Sequence, residues 1–143
     1  MAYTYPYPHF AITVDCIVLY NNGKEFEILL IQRKNQPFID QWALPGGFVD
    51  INETLEEAAY RELEEETGVT GIKLHQLGVF DAVNRDPRER TISMAWYGLT
   101  EKRIIAKAED DAKDAKWFRV SEMPLLAFDH GVIIEMYLKK YEP

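Results

Sequence analysis

Glu53-Thr54-Leu55-Glu56-Glu57-Ala58-Ala59-Tyr60-Arg61-Glu62-Leu63-Glu64-Glu65-Glu66-Thr67-Gly68 is the stretch on which the reading of this chain turns. It reads as a helix over Glu53–Thr67, with Gly68 as its C-terminal stop. At about 100° per residue, Leu55, Ala58, Ala59 and Leu63 fall on one apolar stripe that should face a core. Glu56, Glu57 and Glu64 fall mostly on the opposite, solvent side, as acids in a helix usually do. Glu62 and Glu66 do not. They lie within about 20° of Leu55 on the wheel, inside the stripe, and Glu65 lies on its margin. Two like charges at i,i+4 on a packed face cost several kcal/mol unless something positive stands between them. The helix holds no Lys, and the wheel points Arg61 away from the stripe. A divalent cation answers the need, and hard carboxylate oxygens select Mg2+ or Mn2+.

Outward from the helix, the elements are mostly strands. Phe10–Tyr20 and Phe26–Gln32 are rich in β-branched and aromatic residues, and Asn21-Asn22-Gly23 between them is a turn signal, so the pair should form a hairpin. Trp42–Val49 is short extended backbone broken at Pro45-Gly46-Gly47. Ile72–Val83, Thr91–Leu99 and Ala115–Val120 read as further strands, and Gly131–Tyr141 as a closing amphipathic helix. Strands outnumber helices without regular alternation. The expected class is α+β, a mixed sheet covered by helices. No linker or repeat divides the chain, so residues 1–143 are expected to form one domain.

From Gly47 the sequence runs five residues to Glu53, seven more, and then Arg61-Glu62-Leu63-Glu64-Glu65-Glu66-Thr67-Gly68-Val69. This resembles the Nudix box, Gx5Ex7REUxEExGU with U apolar, at every defined position. The preceding Trp42-Ala43-Leu44-Pro45-Gly46-Gly47-Phe48-Val49 is similar to the segment that leads into the box. The resemblance implies an α/β/α sandwich on a mixed sheet. It also implies Mg2+-dependent hydrolysis of a nucleoside diphosphate linked to another group. It assigns metal binding to Glu62, Glu65, Glu66 and the Gly46 carbonyl, with Glu53 joining through water. Arg61 would orient a catalytic glutamate. The general base would come from the box helix, as Glu65 or Glu62, or from a later loop, where Asp110 and Asp111 stand.

The chemistry fits the residue types. Cations neutralise a pyrophosphate, orient a water and lower its pKa, and a carboxylate removes the proton. Asn84-Arg85-Asp86-Pro87-Arg88-Glu89-Arg90 places three arginines close together, and forked guanidinium groups suit phosphate oxygens. This segment resembles the one in Nudix proteins that act on or sense ADP-ribose, as do Gln32-Arg33-Lys34, Pro37-Phe38 and Phe128-Asp129-His130. Arg33, Arg85, Arg88 and Arg90 are therefore candidate phosphate ligands. Phe38 and Trp42, with Phe10, Tyr3, Tyr5 and Tyr7, are candidates to stack an adenine. The N-terminal tyrosines are equally suited to packing against a second subunit, and Nudix proteins of this type often form homodimers. His130 reads as a cap or packing residue.

Composition bounds the rest. The chain has 143 residues and a net charge of −8, which disfavours nucleic acid as a partner. The acids are concentrated. Between Asp50 and Glu66 there are eight, against Arg61 alone. Cys16, the one cysteine, sits in an apolar strand and reads as an inert buried thiol. Neither a secretory signal nor a membrane span is evident, so a cytoplasmic setting is expected. The leading expectation is hydrolysis of ADP-ribose or a related nucleoside diphosphate sugar to AMP and a sugar phosphate. The alternatives are a house-cleaning hydrolase of nucleoside triphosphates and a non-catalytic ADP-ribose sensor.

Overall fold

The protein is described by a computed structural model covering residues 2–104 and 112–141. In chain order the elements are β1 (Ala11–Asn21), β2 (Phe26–Arg33), β3 (Trp42–Ala43), β4 (Gly46–Phe48), α1 (Leu55–Thr67), β5 (His75–Phe80), β6 (Thr91–Thr100), β7 (Ala112–Arg119), a 3-10 turn at Val120–Glu122, and α2 (His130–Tyr141). The hairpin of β1 and β2 forms as expected. The Asn21 and Asn22 carboxamide oxygens accept from the N–H groups of Gly23, Lys24 and Glu25, and Gly23 takes φ of 94°.

Helix α1 begins two residues later than the sequence suggested. Thr54 caps it, its hydroxyl accepting from the Glu57 N–H while the Glu57 carboxylate accepts from the Thr54 N–H. Glu53 is thereby left outside the helix, where its carboxylate accepts from the Asp50 N–H. Gly68 closes the helix at φ of 76°, its N–H donating to the Glu64 carbonyl. The strand expected over Ile72–Val83 is shorter. Gly71 turns the chain at φ of 79°, the Leu74 N–H donates to the Tyr60 hydroxyl, and Ala82 already accepts a turn bond from Arg85. Only His75–Phe80 is left to pair with β6.

The strand order is β3-β2-β1-β6-β5, with β4 also on β1 and β7 on β2. Among the described strand pairs, only β1–β6 is parallel. Alternate side chains of β1 serve two cores. Val14, Cys16 and Val18 pack with Ala58, Ala59 and Leu63 of α1, and Ile17 and Leu19 pack with Ile133, Ile134 and Tyr137 of α2. This is the mixed-sheet α/β/α sandwich that was expected. Among the described residues no helix is long and apolar enough to cross a membrane.

The register creates the cleft. β1 pairs with β2 only over Leu19–Asn21, and over Thr13–Asp15 the same edge of β1 pairs with β4. Ile31 of β2 faces Ala43 on one edge and Ala115 on the other. The two hairpin strands thus part, and β3, Leu44-Pro45 and β4 fill the opening.

Candidate active site

Helix α1 presents its acids as the wheel requires. Glu66 is buried, Glu62 and Glu65 are half-buried, and Glu56, Glu57 and Glu64 are exposed. Glu66 Oε1 accepts from the Gly46 N–H at 2.6 Å. Arg61, however, does not point away. Its Nη1 donates to Glu62 Oε1 at 2.7 Å and to Glu65 Oε2 at 3.1 Å, and its other nitrogens reach Glu53 and the Phe48 carbonyl. A wheel locates the Cα, whereas the long guanidinium arm can fold back along the helix. The hydrogen bonds from Arg61 draw the Glu53 carboxyl down to about 2. Burial pushes Glu62 above the ordinary carboxylate range, against the pull of Arg61.

The donor set suits a hard divalent cation. Asp50, Glu53, Glu62 and Glu65 share one guanidinium, and Glu66 adds a fifth carboxylate beside Gly46. A Cβ on Gly47 would stand 2.6 Å from the Glu62 carboxylate, so a glycine there makes room for that acid. Among the described residues no three His, Cys, Asp or Glu side chains already form a metal cage. Glu62 and Glu65 instead both meet Arg61.

Beside these acids lies a cleft of about 350 Å3. Glu62, Glu66, Gly46 and Gly47 line it, together with Arg33, Arg88, Phe48 and Phe128. The Arg88 guanidinium lies 4.9 Å from the Phe48 ring centre and 5.4 Å from that of Phe128, and Arg33 lies 4.9 Å from Phe128. The same cleft is also lined by a buried polar group. Asp15 accepts from the Ser93 hydroxyl at 2.6 Å and faces His130 Nε2 at 3.3 Å and Arg85 at 3.7 Å. Burial opposes the charge on Asp15, but His130, Ser93 and Arg85 outweigh it and hold its pKa below the ordinary value.

The NUDIX domain model matches residues 9–137. The chain belongs to the Nudix family. It is 46% identical over 133 residues to an ADP-ribose pyrophosphatase of Methanocaldococcus jannaschii, covering 93% of this chain and 76% of that one. Among solved structures it is similar to the Nudix domain of Shewanella oneidensis NrtR in complex with ADP-ribose, at TM-score 0.86 and 31% identity over 94% of this chain and 90% of that one. It is also similar to a bifunctional NMN adenylyltransferase/ADP-ribose pyrophosphatase of Francisella tularensis, complexed with AMP and a Mn ion. There the TM-score is 0.81 and the identity 35%, over 95% of this chain and 43% of that one.

Within this Nudix domain, Gly46, Glu62, Glu66, Arg33, Arg85 and Arg88 all line the cleft. Arg61 and Glu65 do not line it; Glu65 is paired with Arg61, and Arg61 with Glu62. Arg85 is occupied elsewhere. Its side chain is 3% exposed and makes a two-pronged pair with Asp129, at 2.9 and 2.7 Å, so it ties two loops together. Three other candidates do not line the cleft. Trp42 packs edge-on against Phe118 beside the α2 core, Phe38 packs against Phe128, and Arg90 lies over the exposed Phe10 ring. Sequence position along a loop says little about which way a side chain turns once its neighbours compete for it. Asp110 and Asp111 lie outside the described residues.

The sequence reading missed Asp15, Ser93, Phe48 and Phe128. Asp15 carried a usable signal, being a charge in the middle of an apolar strand, which must find partners. The two phenylalanines stood within segments that resemble the family, but nothing in their own positions marked them as site residues.

Proposed function

We propose that this Nudix hydrolase cleaves ADP-ribose, or a closely related nucleoside diphosphate sugar, to AMP and a sugar phosphate with the help of Mg2+. The observation that carries this reading is the mixed lining of the cleft. Glu62 and Glu66 line the same cleft as Arg33, Arg88, Phe48 and Phe128, so acids, guanidinium groups and aromatic rings meet in one space. The activity named for the Methanocaldococcus relative supports the same substrate.

Glu62, Glu65, Glu66 and the Gly46 carbonyl would hold the metal, which when bound neutralises the pyrophosphate and acidifies a water. Arg33 and Arg88 hold phosphate oxygens, Arg88 turning from Asp86, to which it is paired at 2.8 Å. The exposed Phe48 ring offers a flat face to the base once Arg88 turns from it. Glu65, held by Arg61, takes the proton of the attacking water. The exposed Tyr3, Tyr5, Tyr7 and Phe10 are the proposed contact of a homodimer, which sedimentation would test. A small nucleotide rather than nucleic acid is the partner, in the cytoplasm.

The test is product analysis by mass after incubation with Mg2+. ADP-ribose should yield AMP, and Glu65→Gln should slow its release at least about 100-fold. An unchanged rate in that variant overturns the assignment of Glu65. Pyrophosphate release from nucleoside triphosphates, with ADP-ribose left intact, would favour the house-cleaning activity. Tight ADP-ribose binding without turnover would favour a sensor.

A further inference from the structure

Three hydrogen bonds fix the Leu44-Pro45-Gly46 turn between β3 and β4. The Gly46 N–H donates to Glu66 at 2.6 Å, the Cys16 N–H donates to the Pro45 carbonyl at 2.8 Å, and the Leu44 N–H donates to His130 Nδ1 at 3.0 Å. The last bond comes from the far end of the chain and is buried. His130 is the first residue of α2 and only 4% exposed. Because Nδ1 accepts, the ring proton sits on Nε2, which faces Asp15 Oδ1 at 3.3 Å. Asp15 is anchored in turn by Ser93 of β6 and, more distantly, by Arg85. The line of contacts therefore runs from β6 through Asp15 of β1 and His130 to the turn that carries Gly46.

We propose that His130 is a positioning residue for the metal-binding wall, holding Leu44 so that Gly46 stays against Glu66. This rests on the reading of Gly46, Glu62 and Glu66 as that wall. His130 lines the cleft, yet it is not a group that moves protons to or from substrate. Both ring nitrogens are already engaged, one by a backbone donor and one by a buried carboxylate. A ring so held orients what it touches, much as outer-sphere partners orient metal ligands.

The experiment compares the full chain with His130→Ala, His130→Asn and Ser93→Ala. Mn2+ affinity is read by electron paramagnetic resonance, alongside kcat, KM and the pH–rate profile with ADP-ribose. His130→Ala should bind Mn2+ about 10- to 100-fold more weakly and lose kcat by a similar factor, with KM little changed. His130→Asn places a carboxamide oxygen near the Nδ1 position and should recover most of both losses. Its pH–rate limbs should fall where those of the wild type fall. Ser93→Ala, which only loosens Asp15, should show a smaller loss in the same direction. If His130→Ala fails to fold, the other two variants decide the matter.

Wild-type Mn2+ affinity in His130→Ala overturns the proposal. So does an asparagine variant as defective as alanine, or a pH–rate limb lost in both. A wild type that binds Mn2+ but releases no AMP refutes the proposed substrate and leaves the Mn2+ comparison to judge His130. A wild type that binds no Mn2+ overturns both readings.

Discussion

A Cβ at Gly47 would meet the Glu62 carboxylate at 2.6 Å, and one at Gly46 would meet the Val14 carbonyl oxygen at 2.0 Å. The two neighbouring glycines should therefore fail differently. The Glu62 side chain can swing aside, so Gly47→Ala should stay folded while Mn2+ affinity and AMP release fall about 10-fold or more. Backbone cannot swing aside, so Gly46→Ala should lose the folded state. Circular dichroism and Mn2+ titration separate the two, and a fully active Gly47→Ala would refute the placement of Glu62. A second residue-scale expectation concerns pH. The Arg103 hydrogen bonds, helped by Asn22 and opposed by burial, hold the Glu27 carboxyl below its ordinary 4.5. A depressed carboxylate contributes stability that is present above about pH 4.5 and lost as pH falls toward the folded value. Glu27→Gln should then flatten the fall of the urea midpoint between about pH 5 and 3. Identical slopes in the two proteins would count against the pair. At this scale the sequence was a good guide where a side chain stays near its own helix face, as with Glu62 and Glu66. It misled where an arm is long. Arg61 reaches back over four acids, and Arg85 and Arg90 settle on partners from other elements.

Helix α1 depends on its first turn as well as on its buried stripe. Thr54 and Glu57 exchange two hydrogen bonds there, satisfying N–H groups that would otherwise lack partners. Thr54→Ala should cost about 1 kcal/mol, seen as a fall of about 2–4 °C in Tm. No measurable change would mean that water replaces the cap without loss. The same local logic explains which elements were legible beforehand. The helix, its Gly68 stop and the β1–β2 hairpin are written in contiguous residues whose turn and cap chemistry acts over a few positions. The end of β5 was not legible, because the Tyr60 hydroxyl and Gly71, rather than the residues of the strand, decide where pairing with β6 begins. The division of Trp42–Val49 into β3 and β4 was likewise hidden, since each piece pairs with a different strand.

For the whole molecule, the decisive fact is where the charge sits. Eight acids and one base between Asp50 and Glu66 account for nearly all of the net −8. The fold turns much of that charge toward Arg61 and the cleft, and Arg61 alone does not offset the burial of Glu62, whose carboxyl stays above the ordinary range. Mg2+ should therefore raise Tm with concentration, a chelator should reverse the gain, and Glu66→Gln should remove most of it. A Tm indifferent to millimolar Mg2+ would show that the acids do not bind it. By itself the sequence determined the acidic helix, its two misplaced carboxylates, the box around them and the mixed sheet. The acids follow from spacing along one helix, the box from a run of contiguous residues, and the sheet from the order of strands and helices. Only the tertiary structure decided what the acids face. Asp15, His130, Phe48, Phe128, Arg33 and Arg88 come from distant parts of the chain. They converge because β1 and β2 part after three paired residues and leave an opening between them. That divergence depends on which strands compete for one edge, and no periodicity within a single segment records it.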